Sequence, residues 1–182
     1  MRYALLLFGL AAAIVGPARA AEHIALHVKV TNGDTVLMDG ILNTLAGEEA
    51  HSRVGTEIGY VKSVKTFARA NSAIALEAQP PERTYDKVFD GVEISVTPGL
   101  TGTDAANKVL LHTRVSVSRL KKMDHAGQGD IRIDLPDVQS LRAQTDAAVA
   151  WGTPQVITSK GTGKDGDEDY RIEVTPRRSQ AN

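Results

Sequence analysis

The sequence predicts a mainly β domain, an antiparallel sheet or sandwich with at most short helical pieces. Three observations carry that expectation. Apolar residues recur at every second position over several stretches, the pattern of strands with one buried face. Turn-forming clusters separate those stretches, a spacing that suits roughly eight to ten strands. Support for a helical period is thin throughout.

The chain opens on an export signal rather than a strand. Arg2 supplies a positive start, Ala4 to Val15 is an uncharged apolar run, and Pro17 breaks it. Ala18-Arg19-Ala20 then places small residues where a signal peptidase requires them. The apolar run is too short to cross roughly 30 Å of hydrocarbon as a helix. Residues 1–20 are therefore expected to be a cleaved signal peptide, residues 21–177 one β domain, and residues 178–182 a flexible tail.

Within the domain, Ile24, Leu26, Val28 and Val30 alternate with Ala25, His27, Lys29 and Thr31, and Asn32-Gly33-Asp34 is a strong hairpin turn. Val36 to Leu45 reads as a second strand, closed by the turn Ala46-Gly47-Glu48-Glu49. A third runs from Ala50 through Val54 toward Tyr60. Lys62 to Lys87 is less regular and contains Gln79-Pro80-Pro81-Glu82, which disfavours a central strand. Val92, Ile94 and Val96 alternate with Glu93, Ser95 and Thr97 until Pro98, which lacks a ladder donor, ends the strand.

The clearest strand follows. Val109, Leu111, Thr113, Val115 and Val117 share one face; Leu110, His112, Arg114, Ser116 and Ser118 share the other. Ile131 to Leu135, Ala147 to Ile157 and Tyr170 to Val174 are further strand candidates. Leu135 to Val149 admits two readings, a short helical piece around Asp137 to Arg142 or an extended strand through Ser140 to Ala148.

Composition excludes several function classes. The chain has no cysteine, which removes lipoprotein anchoring, disulfides, thiolate metal sites and a cysteine nucleophile together. Lys+Arg number 21 against 22 Asp+Glu, and losing Arg2 and Arg19 makes the exported chain slightly more acidic. Nothing in that balance asks for nucleic acid or an anionic membrane. An aromatic content of 4% leaves few stacking platforms for bases or sugars, and Trp151 reads as a core or interface anchor.

Catalytic and metal motifs are missing. The cluster Asp165-Gly166-Asp167-Glu168-Asp169 invites calcium, but the positions where an EF-hand loop needs glycine and glutamate hold Tyr170 and Pro176. A solvated hairpin turn is the better reading. Of the histidines His23, His27, His51, His112 and His125, only the first two are close. On a strand they stand about 13 Å apart, too far to share a metal. No nucleophile elbow, zinc-protease helix or phosphate-binding glycine loop occurs. No enzymatic function, cofactor, metal or small-molecule substrate is expected.

Two stretches go beyond generic strand text. Thr44-Leu45-Ala46-Gly47-Glu48-Glu49-Ala50 leads into Val54-Gly55-Thr56-Glu57-Ile58-Gly59-Tyr60, and Asp90-Gly91-Val92-Glu93-Ile94-Ser95-Val96-Thr97-Pro98 precedes the alternating strand from Lys108 to Leu120. With Leu141 to Ile157 and Arg171 to Arg177 they stand in the order found in the C-terminal homology domain of secretins. The chain thus resembles that family, the ring-forming outer-membrane channels of type II and type III secretion and of type IV pili. The resemblance covers about Val36 to Arg177. It departs where secretins carry an apolar lip segment, because Thr158 to Asp169 is polar and glycine-rich here and offers no apolar band to face lipid.

The resemblance implies a non-enzymatic envelope protein, a component or accessory of a secretion or type IV pilus-type export apparatus. It would associate through β-strands as a homo-oligomer or with other envelope secretion or pilus proteins. Its expected place is the periplasm, with outer-membrane association arising from assembly. Gly47, Gly55, Gly91 and Pro98 are the expected structural turn or close-approach positions, and Glu93, Ser95, His112, Arg114 and Ser116 the candidate interface. Ile24 to Val30 and Val109 to Leu120 are the strands expected to supply pairing edges. The alternative is a soluble monomeric periplasmic binding or adaptor module without pore formation.

Overall fold

The computed structural model describes residues 22–66, 80–100, 108–161 and 168–179. The expected signal peptide and Asp165-Gly166-Asp167 lie outside these residues. The described strands are β1 (His23–Asn32), β2 (Thr35–Leu45), β3 (Ala50–Lys65), β4 (Glu82–Gly99), β5 (Lys108–Ala126), β6 (Ile133–Ala150), β7 (Gln155–Gly161) and β8 (Glu168–Arg178). A 3-10 turn, Gly129–Ile131, joins β5 to β6.

The strands form two antiparallel sheets of four, in the orders β2-β1-β8-β7 and β3-β4-β5-β6. One continuous core lies between them. Ile24, Leu26, Val28, Val30, Ile172 and Val174 face it from the first sheet, and Val92, Ile94, Val96, Val109, Leu111, Val117 and Leu141 from the second. The fold is therefore a mainly β sandwich. Period-two burial is its direct cause, since each alternating strand has one face that only the opposite sheet can cover. Three polar side chains enter the core through two hydrogen bonds: Thr113 Oγ1 donates to Gln155 Oε1 at 2.8 Å, and Gln139 Nε2 donates to the Gly161 carbonyl at 3.0 Å.

This topology decides one open reading in favour of the extended strand and corrects one expectation. Leu135 to Val149 holds no helical piece; it is part of β6, paired with β5 from Lys108↔Ala150 to Ala126↔Ile133. A helix there would have left the outer ladder of β5 open and carried Leu141, which is buried, away from the core. Nor do Ile24–Val30 and Val109–Leu120 supply edges. β1 lies between β2 and β8, and β5 between β4 and β6, so β1 is paired on both sides along its length and β5 is so from Leu110 to Ser118. The outer strands are β2 and β7 in one sheet, β3 and β6 in the other.

The second sheet outgrows the first. Its strands have 16, 18, 19 and 18 residues, whereas β7 has only 7 and β1 only 10. Pairing between β4 and β5 stops at Gly91↔Ser118. Beyond it β3 and β4 stay paired to Lys65↔Glu82, and β5 and β6 to Ala126↔Ile133. Two separate ribbons thus leave the sandwich, each with a bulge, at Lys62 and at Lys121. A bulge adds local twist, and the ribbons turn back into contact: the Val61 N–H donates to Asp134 Oδ2 at 2.8 Å.

Candidate functional site

The long sheet presents its outer face to solvent, and register decides what gathers there. Ser95 pairs with Arg114, Glu93 with Ser116, and Thr97 with His112. The five candidate interface residues therefore share one face of neighbouring strands. Four of them, Glu93, Ser95, Arg114 and Ser116, line a shallow groove of about 380 Å³ together with Arg142 and Gln144 of β6. His112 stands outside it. The two β6 residues escape sequence reading because they belong to the stretch whose helix-or-strand state the sequence leaves open.

Four of the five histidines meet a carboxylate on an adjacent strand. His27 Nε2 lies 2.7 Å from Asp39 Oδ1, His51 Nε2 lies 3.1 Å from Glu93 Oε1, and His125 Nδ1 lies 2.7 Å from Asp134 Oδ1. His112 Nδ1 contacts Asp146 Oδ1. Cross-strand pairs of this kind help fix register. They also occupy Glu93 and Asp146, two carboxylates of the outer face.

The glycines divide by role. Gly47, at φ +87°, sits in the turn between β2 and β3, and its N–H donates to the Pro98 carbonyl at 2.7 Å. That bond ties the turn to the end of β4. Gly55 and Gly91 lie inside β3 and β4, directly opposite each other. A Cβ on Gly91 would fall 2.3 Å from the Val54 carbonyl oxygen and 2.6 Å from Gly55 Cα. Only glycine allows backbones to approach so closely. The Phe89 ring covers the pair, and the Arg53 guanidinium lies over that ring at 4.0 Å.

A polar network closes the end of the sandwich where the ribbons depart. Glu168 accepts from Lys121 Nζ, from Asn32 Nδ2 at 2.6 Å and from Tyr170 Oη at 2.8 Å, while Arg119 pairs with Asp90 at 3.1 Å. The network joins β1 and β8 of one sheet to β4 and β5 of the other. The Lys121 ammonium, helped by Tyr170 and Asn32, holds the Glu168 carboxyl below the usual carboxylate range. Burial, then the bond to Glu168, pushes the Tyr170 phenol up. Glu57 is lowered by Lys87 and Arg53, Asp86 by Lys62, and Asp134 by the Val61 N–H.

Each of these carboxyls has a folded value below its unfolded one. Their contribution is fully present above the unfolded values, at about pH 4 to 4.5, and is lost as pH falls through the folded values. The melting temperature should therefore hold from neutrality to about pH 5 and fall below about pH 4. Glu168→Gln should flatten that acid limb, and an unchanged acid slope in thermal melts of the variant would count against the assignment.

Among the described residues, no group of three His, Asp or Glu side chains stands close enough to hold a metal ion. The surface of the described residues offers outer strands without a further strand beside them, β3 and β6 touching at Val61 and Asp134, and a polar sheet face. Beside the β3 edge lies an apolar groove of about 370 Å³ lined by Val36, Leu37, Ile41, Leu42 and Val54, among others. Val36, Ile41 and Val54 are 52%, 62% and 46% exposed, high values for large apolar side chains gathered in one place.

Among solved structures, the chain is similar to the secretin InvG of the Salmonella SPI-1 type III secretion injectisome. The TM-score is 0.52 at 12% sequence identity, over 90% of this chain and 66% of that one. An atomic model of the Salmonella injectisome basal body proteins InvG, PrgH and PrgK gives a TM-score of 0.52 at 12% identity, over 90% of this chain and 47% of the matched chain. This chain thus spans between about half and two thirds of the lengths of the chains it resembles. No family model and no curated protein sequence matches it. At this identity the likeness is one of fold, and the fold is secretin-like.

Proposed function

We propose that this chain is a non-enzymatic envelope protein, a component or accessory of a secretion or type IV pilus-type export apparatus, acting through β-strand-mediated subunit association. On this reading residues 1–20 are its export signal, residues 21–177 a secretin-like β domain and the last few residues a tail. The domain resides in the periplasm and reaches the outer membrane through assembly. Its partners are further copies of itself or other secretion or pilus proteins.

One observation carries the reading. The long sheet ends in two extended outer strands, and beside the β3 edge lies the apolar groove containing Val54. Unpaired backbone donors and acceptors next to exposed apolar side chains are a template for a second chain. An edge that accepts the opposite edge of a copy makes a head-to-tail contact, and repetition of that contact closes rings. The secretin-like fold adds support, since the similar chain InvG is named as an injectisome secretin.

The test is assembly. The mature chain should form multimers in light scattering and heat-resistant multimers in membranes. Val54→Lys and Ala148→Lys, on exposed positions of β3 and β6, should shift it to monomer without changing its circular dichroism, because lysine on an edge blocks pairing. A wild-type monomer at micromolar concentration, with no multimer in membranes, would sink the reading. The monomeric adaptor alternative draws on a different observation: the Val61–Asp134 bond lets β3 and β6 approach each other within one chain.

A further inference from the structure

We propose that the outer face of β4, β5 and β6 is a docking site for an extended acidic peptide segment of a partner protein, gripped by Arg114 and Arg142. The groove has the required shape. Its floor is the paired backbone of Val115 and Ala143 with the short side chains of Ser95 and Ser116. Its walls are the long side chains of Arg114, Arg142, Gln144 and Glu93. Small floor residues let another backbone lie close to the sheet, and hydroxyls and an amide provide bonds along it.

Charge makes the groove selective. Arg114 and Arg142 are exposed, and among the described residues neither has an ion pair or a hydrogen-bond partner. The acidic neighbours are taken: Glu93 by His51, Asp146 by His112. The face therefore holds two uncommitted guanidinium forks, and a guanidinium matches a carboxylate with two parallel bonds.

Spacing points to a strand. Arg114 pairs with Gln144, and Ser116 with Arg142, so the arginines are diagonal neighbours with about 7–8 Å between their positions. Side chains two apart on an extended peptide project to one side about 6.5–7 Å apart. A segment carrying acidic residues at every second position places a carboxylate at each guanidinium. No aromatic side chain lines the groove to stack a base, which sets a peptide apart from a nucleic acid here.

The experiment uses the mature chain and a fluorescent peptide of alternating aspartate and alanine, read by anisotropy. Saturable binding is expected, weakening as salt rises. Arg114→Gln with Arg142→Gln should lower affinity about tenfold or more. Ser116→Phe, which fills the floor and leaves both arginines in place, should block binding as well. Circular dichroism should be unchanged in both. No saturable binding, equal binding of the asparagine version of the peptide, or full affinity in the double arginine variant would each overturn the proposal.

Discussion

Gly91→Val should lower the melting temperature by about 5–10 °C, the scale of an overpacked site worth about 1–3 kcal/mol in a domain of this size. Two of the three atoms nearest a Cβ at Gly91 are backbone: the Val54 carbonyl oxygen at 2.3 Å and Gly55 Cα at 2.6 Å. The third, Phe89 Cζ at 2.6 Å, belongs to a ring already held under the Arg53 guanidinium. Relief requires β3 and β4 to separate where β4 also loses its pairing with β5. Gly59, further out on β3, is the control. A Cβ there meets nothing within 4 Å, so Gly59→Val should leave the melt nearly unchanged. Equal melting curves for the two variants would refute the close approach.

The second large effect separates adjacent leucines. Leu111 is 0% exposed and Leu110 is 38% exposed, since successive side chains on β5 point to opposite faces. Leu111→Ala should cost about 2–5 kcal/mol, the lost transfer energy plus the cavity left in a packed core. Leu110→Ala should fall within about 0.5 kcal/mol of the parent. Chemical denaturation of both variants measures the difference. Equal costs would mean that β5 is misregistered by one residue, which would turn its whole apolar row to solvent.

The strands legible in the sequence are those whose one face is covered by the other sheet. β1 and the first half of β5 alternate strictly because Ile24 to Val30 and Val109 to Val117 are covered along their length. β3 alternates poorly because most of it is exposed, and no apolar period was available to read. The same fact explains why the edges were misplaced. Alternation records which face is buried and carries no information about how many neighbours a backbone has. Here the strands with the most regular run of large apolar residues are central, while the outer strand β6 alternates just as strictly with smaller residues such as Ala143, Ala147 and Val149.

The candidate surface was legible to the same extent. Glu93, Ser95, Arg114 and Ser116 stand on the outward positions of alternating strands, so their shared face follows from period alone. Arg142 and Gln144 require the β5–β6 register, which the ambiguous stretch from Leu135 to Val149 conceals. The histidine pairs were beyond reach, since His112 and Asp146 lie 34 residues apart in sequence. Gly55 and Gly91 each stood out as positions of close approach. That they approach each other, beneath Phe89, is a fact of pairing alone.

The first and last strands of the domain are neighbours: β1 pairs with β8 from Ile24↔Arg178 to Asn32↔Tyr170. Asn32 and Glu168, which bond across this seam, are 136 residues apart. One sheet thus cannot close until nearly the whole polypeptide has emerged, and β2 and β7 flank a centre that arrives last. Pairing as distant as this forms slowly, because a large loop must be closed before the contacts that reward it can form. The second sheet, whose strands pair in chain order, can form before that seam closes, and a product shortened by its final dozen residues would lack the middle of the first sheet rather than an end.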